Sequence, residues 1–136
     1  ITNIPEHVKI LFDVSQKETK EYYRKAHIVV VPEFSENHWD ASDCSGQYVI
    51  LESMAARKAV ITSERSTLSD YIQNGKNGLL VKPEDPIALR GVLEECMNNS
   101  VLVSSLGMEA RETIEMHSTT KKLAEKLSAV FKKLHE

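Results

Sequence analysis

Short apolar, β-branched runs alternate with stretches of helical periodicity along most of this chain. Val8-Lys9-Ile10-Leu11-Phe12-Asp13-Val14 is a short β-rich run. Ser15 follows as an N-cap, with Glu18 as its capping-box partner, and predicts a helix over 17–26 with Tyr22, Tyr23 and Ala26 on its inner side. Ile28-Val29-Val30-Val31, closed by Pro32, is continuous and β-branched, which suits a strand buried on both faces of a parallel sheet. Ala59-Val60-Ile61-Thr62 and Leu79-Leu80-Val81 read as two more strands. Between them, Ser66 or Thr67 can cap a helix from Leu68 to about Gln73, and Asn74-Gly75 and Asn77-Gly78 are turn pairs. Asp85-Pro86 starts a helix, with Asp as N-cap and Pro in the first position. Asn98-Asn99-Ser100 breaks it, and two further helices are expected over 101–116 and 119–134. The last carries Leu123, Leu127, Val130, Phe131 and Leu134 on one face.

The organising stretch is Ser45-Gly46-Gln47-Tyr48-Val49-Ile50-Leu51-Glu52-Ser53-Met54-Ala55-Ala56. It opens as a small polar turn and becomes a helix made apolar by Val49, Leu51, Met54, Ala55 and Ala56. A helix start preceded by Gly exposes backbone N–H groups that can meet an anion, although many soluble helices begin with a polar turn and bind nothing. Before it runs a long polar loop over 33–45, at the carboxyl end of a predicted parallel strand, where such folds hold ligands. Strands alternating with helices give an α/β class: a Rossmann-like parallel sheet with flanking helices and a helical C-terminus. Four strands are few for such a sheet. No linker divides the chain, so residues 1–136 read as a single domain.

Composition narrows the function classes. The 136 residues suffice for one core, and the net charge of -3 provides no global basic field for nucleic acid. Lys121, Lys122, Lys126, Lys132 and Lys133 cluster near the end, as a solvated helix face or as a peripheral contact to acidic lipid. Cys44 and Cys96 have no metal-ligand spacing and make no disulfide framework, so a cytoplasmic setting is expected. A first residue other than Met suggests a piece of a longer protein.

At this point the residues resemble a known family. The strand ending in Pro32, the polar loop, Gly46 with Leu51-Glu52-Ser53-Met54-Ala55, and then Ala59-Val60-Ile61-Thr62 look like the donor-binding half of group 1 glycosyltransferases. So does the run from Asp70-Tyr71-Ile72 through Asn77-Gly78-Leu79-Leu80-Val81 to Asp85, and so does the upstream helix ending Tyr22-Tyr23-Arg24-Lys25-Ala26. Each block is weak alone; their order and spacing are specific. The resemblance implies a retaining enzyme of the GT-B fold that moves a hexosyl group from a nucleoside diphosphate sugar to an unknown acceptor, with no metal and no other cofactor. It also implies that the first strand–helix units of the domain and an N-terminal acceptor domain lie outside this chain. With them lie the glycine-rich turn and the Arg/Lys pair that grip the donor diphosphate. On its own, this piece is expected to be inactive.

The family pattern assigns roles residue by residue. Glu52 matches the second Glu of its paired-carboxylate motif, which hydrogen-bonds the ribose hydroxyls, a task suited to a carboxylate's several acceptor sites. Gly46 and the backbone N–H groups of Gln47, Tyr48 and Val49 match the helix start that meets the diphosphate, whose growing charge they would stabilise. Eight positions before Glu52, where the family has its first, sugar-contacting Glu, stands Cys44. Asp43 beside it is the alternative carboxylate at this catalytic position. Arg57 replaces a common Gly after the helix, and Lys58 keeps the basic residue that follows. Glu33 and Glu36 read as solvated loop acids, or as residues facing the donor; Trp39 reads as a loop anchor or an aromatic lining of the sugar site, and Tyr22 and Tyr23 as packing between helix and sheet. The substitutions at Cys44 and Arg57 also motivate a rival from another class: a degenerate, non-catalytic scaffold of the same fold.

Overall fold

The computed structural model describes residues 4–39 and 46–134. Three parallel strands pair in the order β1 (Ile28–Val31), β2 (Ala59–Ser63), β3 (Leu79–Val81), with Val29 opposite Val60 and Ile61 opposite Leu79. All five residues of β2 are buried, as its continuous apolar run requires. Successive β2 side chains point to opposite faces. Val60 joins a cluster with Ile50 and Met54 of α2 (Gln47–Ala55) and Ala110 of α4 (Ser100–His117). Ile61 joins Val81 and Cys96, the latter from α3 (Pro86–Asn98). Helices therefore cover both faces of the sheet. Helix α1 (Gln16–Lys25) precedes β1, and α5 (Thr120–Leu134) ends the described chain.

The capping residues act as their types dictate. Ser15 and Glu18 form a complete capping box, with the Ser15 amide donating to the Glu18 carboxylate at 3.0 Å. Asp85 accepts from the amides of Ile87 and Ala88 at 3.1 and 2.9 Å. Asn99 accepts from Leu102 N at 3.0 Å and starts α4.

Two elements differ from expectation. The run 8–14 is not a strand. Its backbone groups would need a neighbouring strand, and among the described residues β1 pairs with β2 alone. Phe12 is consequently 82% exposed, and Asp13 turns the chain at φ +52°. The helix over 68–73 shortens to a 3₁₀ turn at Ser66–Leu68. The buried Asn77 side chain explains this: its Oδ1 accepts from Gln73 N at 2.7 Å, while its Nδ2 donates to Tyr71 O and Thr113 Oγ1, both at 3.0 Å. These bonds divert backbone groups that a helix would use.

Helix α2 ends in a Schellman motif. Arg57 N donates to Met54 O at 2.9 Å and Lys58 N to Ser53 O at 3.0 Å, with Arg57 at φ +61°. This is a glycine conformation occupied by arginine. Helix α4 closes over the turn: Arg111 donates to the Ala55 carbonyl, and a Cβ on Gly107 would lie 2.5 Å from Arg57 O. Replacing Arg57 by Gly relieves the left-handed strain and should stabilise the fold by about 1 kcal/mol, read as a higher urea midpoint with an unchanged slope.

Candidate functional site

The carboxyl ends of β1 and β2 and the start of α2 meet at one place. Pro32 stops β1, and the next residue, Glu33, turns inward. Its amide donates to Ser63 Oγ at 2.8 Å, and its carboxylate pairs with Arg65 Nη1 at 3.1 Å. The two side chains are only 4% and 1% exposed. Glu33 is thus a buried ion-pair partner and not a solvated loop acid. Its second oxygen, Oε1, is buried without a hydrogen-bond partner among the described residues. That oxygen lies under Gly46, the N-cap of α2, where a Cβ would stand 2.1 Å from it and 2.7 Å from Val31 Cγ1. Gly46 also adopts φ +72°. Both the space and the dihedral exclude a side chain here.

The first bond of the α2 ladder runs from Ile50 N to Gly46 O, at 3.0 Å. The amides of Gln47, Tyr48 and Val49 precede that ladder and form the positive end of the helix dipole. Glu52 sits three and four residues beyond Val49 and Tyr48, on the same side of the helix and roughly 4–8 Å further along its axis. It lines a cavity of about 650 Å³ between α1 and α2, with Val14, Thr19, Tyr23, Ala55 and Lys58. The Tyr23 hydroxyl donates to Glu52 Oε2 at 3.2 Å. Burial, and then the Glu52 charge, push the Tyr23 phenol above its ordinary value. Tyr48 and Val49 share the helix side of Glu52, whereas Gly46 sits over Val31 and Glu33 on the opposite, buried side of α2. Asp43 and Cys44 lie outside the described residues.

Local signals could not locate two participants. Tyr23 reaches Glu52 across 29 positions, and Arg65 reaches Glu33 across 32. Trp39 is not a loop anchor among the described residues: it is 89% exposed and stacks on His38, which itself stacks on Phe34 at 4.1 Å. Glu36, read as solvated, is exposed but accepts from the Ser66 amide. The Ser66 hydrogen bonds hold its carboxyl below the usual range. No three His, Cys, Asp or Glu side chains among the described residues cluster as metal ligands. Nor is any described helix long and apolar enough to cross a membrane.

The sequence model of the family described as glycosyl transferases group 1 matches residues 1–113. The chain belongs to the group 1 glycosyltransferases. Among individual relatives of this glycosyltransferase chain, an uncharacterized glycosyltransferase of Methanocaldococcus jannaschii is 30% identical over 112 residues, which cover 82% of this chain and 30% of that protein. The chain thus spans less than a third of that relative's length. Among solved structures, the C-terminal domain of a group 1 glycosyl transferase, LpcC from Francisella tularensis, superposes with a TM-score of 0.67 at 23% identity, over 82% of this chain and 53% of that one. Anabaena HepE superposes with a TM-score of 0.60 at 18% identity, over 80% of this chain and 29% of that one. At these identities the likeness is one of fold. The parallel sheet, its flanking helices and the helical C-terminus match the C-terminal domains of the GT-B fold.

The buried ion pair supports the helix start in this glycosyltransferase chain. Arg65→Met leaves the Glu33 carboxylate buried without its partner and should cost about 3–5 kcal/mol. Adding Glu33→Gln should recover much of that loss. Chemical denaturation of the two single variants and the double variant measures both effects.

Proposed function

We propose that this chain is the donor-binding part of a retaining glycosyltransferase that takes a sugar from a nucleoside diphosphate. The observation that carries the reading is the placement of Glu52: it lines the cavity between α1 and α2, about one turn beyond the first amides of α2. In this reading the cavity takes the nucleoside and the Glu52 carboxylate accepts the ribose hydroxyls. The amides of Gln47, Tyr48 and Val49 face the diphosphate. As the glycosidic bond breaks, negative charge grows on the departing phosphate oxygen, and fixed donors at a helix N-terminus favour that charge without reorganising. The donor diphosphate is held by these groups and by cationic residues from outside this chain, with no protein-bound metal. Anabaena HepE was solved with UDP and with UDP-glucose, which supports a nucleotide donor for a chain of this fold. Asp43 or Cys44 would stand at the sugar end of the site, and a segment outside this chain would hold the acceptor. Retention of the anomeric configuration and a cytoplasmic setting belong to the same reading; the free, buried Cys96 suits a reducing compartment.

The scaffold alternative loses one of its two motives. Arg57 adopts a left-handed conformation that favours glycine and closes the Schellman motif, so this departure leaves the end of α2 intact.

Calorimetric titration with UDP, GDP and ADP tests the reading. One of the three should bind, and Glu52→Gln should weaken it roughly 10-fold or more, as expected for a lost hydrogen bond to a charged acceptor. Unchanged affinity in that variant would remove Glu52 from the site, and a scaffold should bind none of the three. The chain of residues 1–136 alone should show no sugar transfer from any donor; turnover by it would show that the site needs nothing beyond this chain.

A further inference from the structure

Helix α1 forms a wall of the cavity without burying a single residue. Its ties to the rest of the site are polar. Lys58 Nζ donates to the Arg24 carbonyl at 3.1 Å, and the Tyr23 hydroxyl donates to Glu52 Oε2 at 3.2 Å. Glu52 is itself exposed. A solvated glutamate side chain samples several rotamers, and each must be given up when it binds a ligand in one geometry. Tyr23 is rigid by comparison and half-buried, so its hydroxyl is a fixed point from which the carboxylate can be held.

We propose that Tyr23 is a positioning residue for ribose recognition: its hydroxyl holds the Glu52 carboxylate facing the cavity, with its remaining acceptor sites presented to the ribose diol. The inference rests on the assignment of Glu52 to the nucleotide site. The chemistry is consistent with the acceptor count. A carboxylate offers about four lone-pair sites. Tyr23 takes one of them on Oε2, which leaves Oε1 and the rest of Oε2 for two hydroxyl donors. Burial and the nearby negative charge keep the phenol protonated, so it remains a donor through the neutral range. The same bond ties α1 to α2 beside the cavity.

The test separates positioning from packing by changing the ligand as well as the protein. Wild type, Tyr23→Phe, Glu52→Gln and the double variant are titrated with UDP, GDP or ADP, whichever binds the wild type best, and with its 2′,3′-dideoxy counterpart. Tyr23→Phe keeps the ring and removes only the donor. It should weaken the ribonucleotide roughly 3- to 10-fold, as for one hydrogen bond, and leave the dideoxy form unchanged. Glu52→Gln should erase the preference for ribose, and adding Tyr23→Phe to it should do nothing more. Equal weakening of both ligands by Tyr23→Phe would mean a packing role and overturn the proposal, as would no change with either. In both of those outcomes Glu52→Gln still reports on the nucleotide site separately. Failure of the wild type to bind any of the three nucleotides would overturn the nucleotide reading and this inference with it.

Discussion

The close passage of the Gly46 backbone over the buried Glu33 carboxylate constrains everything that follows it. A β-carbon does not fit in that space. Because Glu33 is held by Ser63 and Arg65, the start of α2 is fixed relative to the ends of β1 and β2. The other end of the helix is fixed as firmly, by the turn at Arg57 and by the Arg111 guanidinium on the Ala55 carbonyl. A short helix pinned at both termini has little freedom to rotate about its axis. Ile50 and Met54 then face the core, and Glu52 must face the α1 side. The side of α2 on which Glu52 stands is thus set by contacts that do not touch it.

The ion pair at this place is electrically economical. A lone buried carboxylate beneath a helix start would oppose the approach of a phosphate. Paired with Arg65, it is close to neutral, and the dipole of α2 remains the dominant field at its own N-terminus.

Much of this was legible in the chain because it is encoded locally. The caps at Ser15 and Asp85, the β-branched runs of β1 and β2 and the glycine before α2 each carry their physical cause within a few residues. The site face of α2 follows from helical periodicity once Glu52 is singled out. Contacts between distant residues were not legible. Nothing near Tyr23 signals a carboxylate 29 positions away, and Glu33 looks like any loop acid until Arg65 folds against it. The run 8–14 failed for the opposite reason. Its local β-preference is real, but strand formation needs a partner, and preference alone cannot supply one. Arg57 departs from the family pattern in residue type yet adopts a left-handed backbone that favours glycine, so residue type alone misleads at that position.

The pairing of β1 on one side only has a consequence for handling the protein. Its Ile-Val-Val-Val backbone presents unpaired amides and carbonyls along the outer edge among the described residues, and the segment carries no lysine, proline or bulge to blunt it. Such an edge is a template for another strand. In concentrated solution the chain by itself has a route to self-association in which a second copy docks strand against strand.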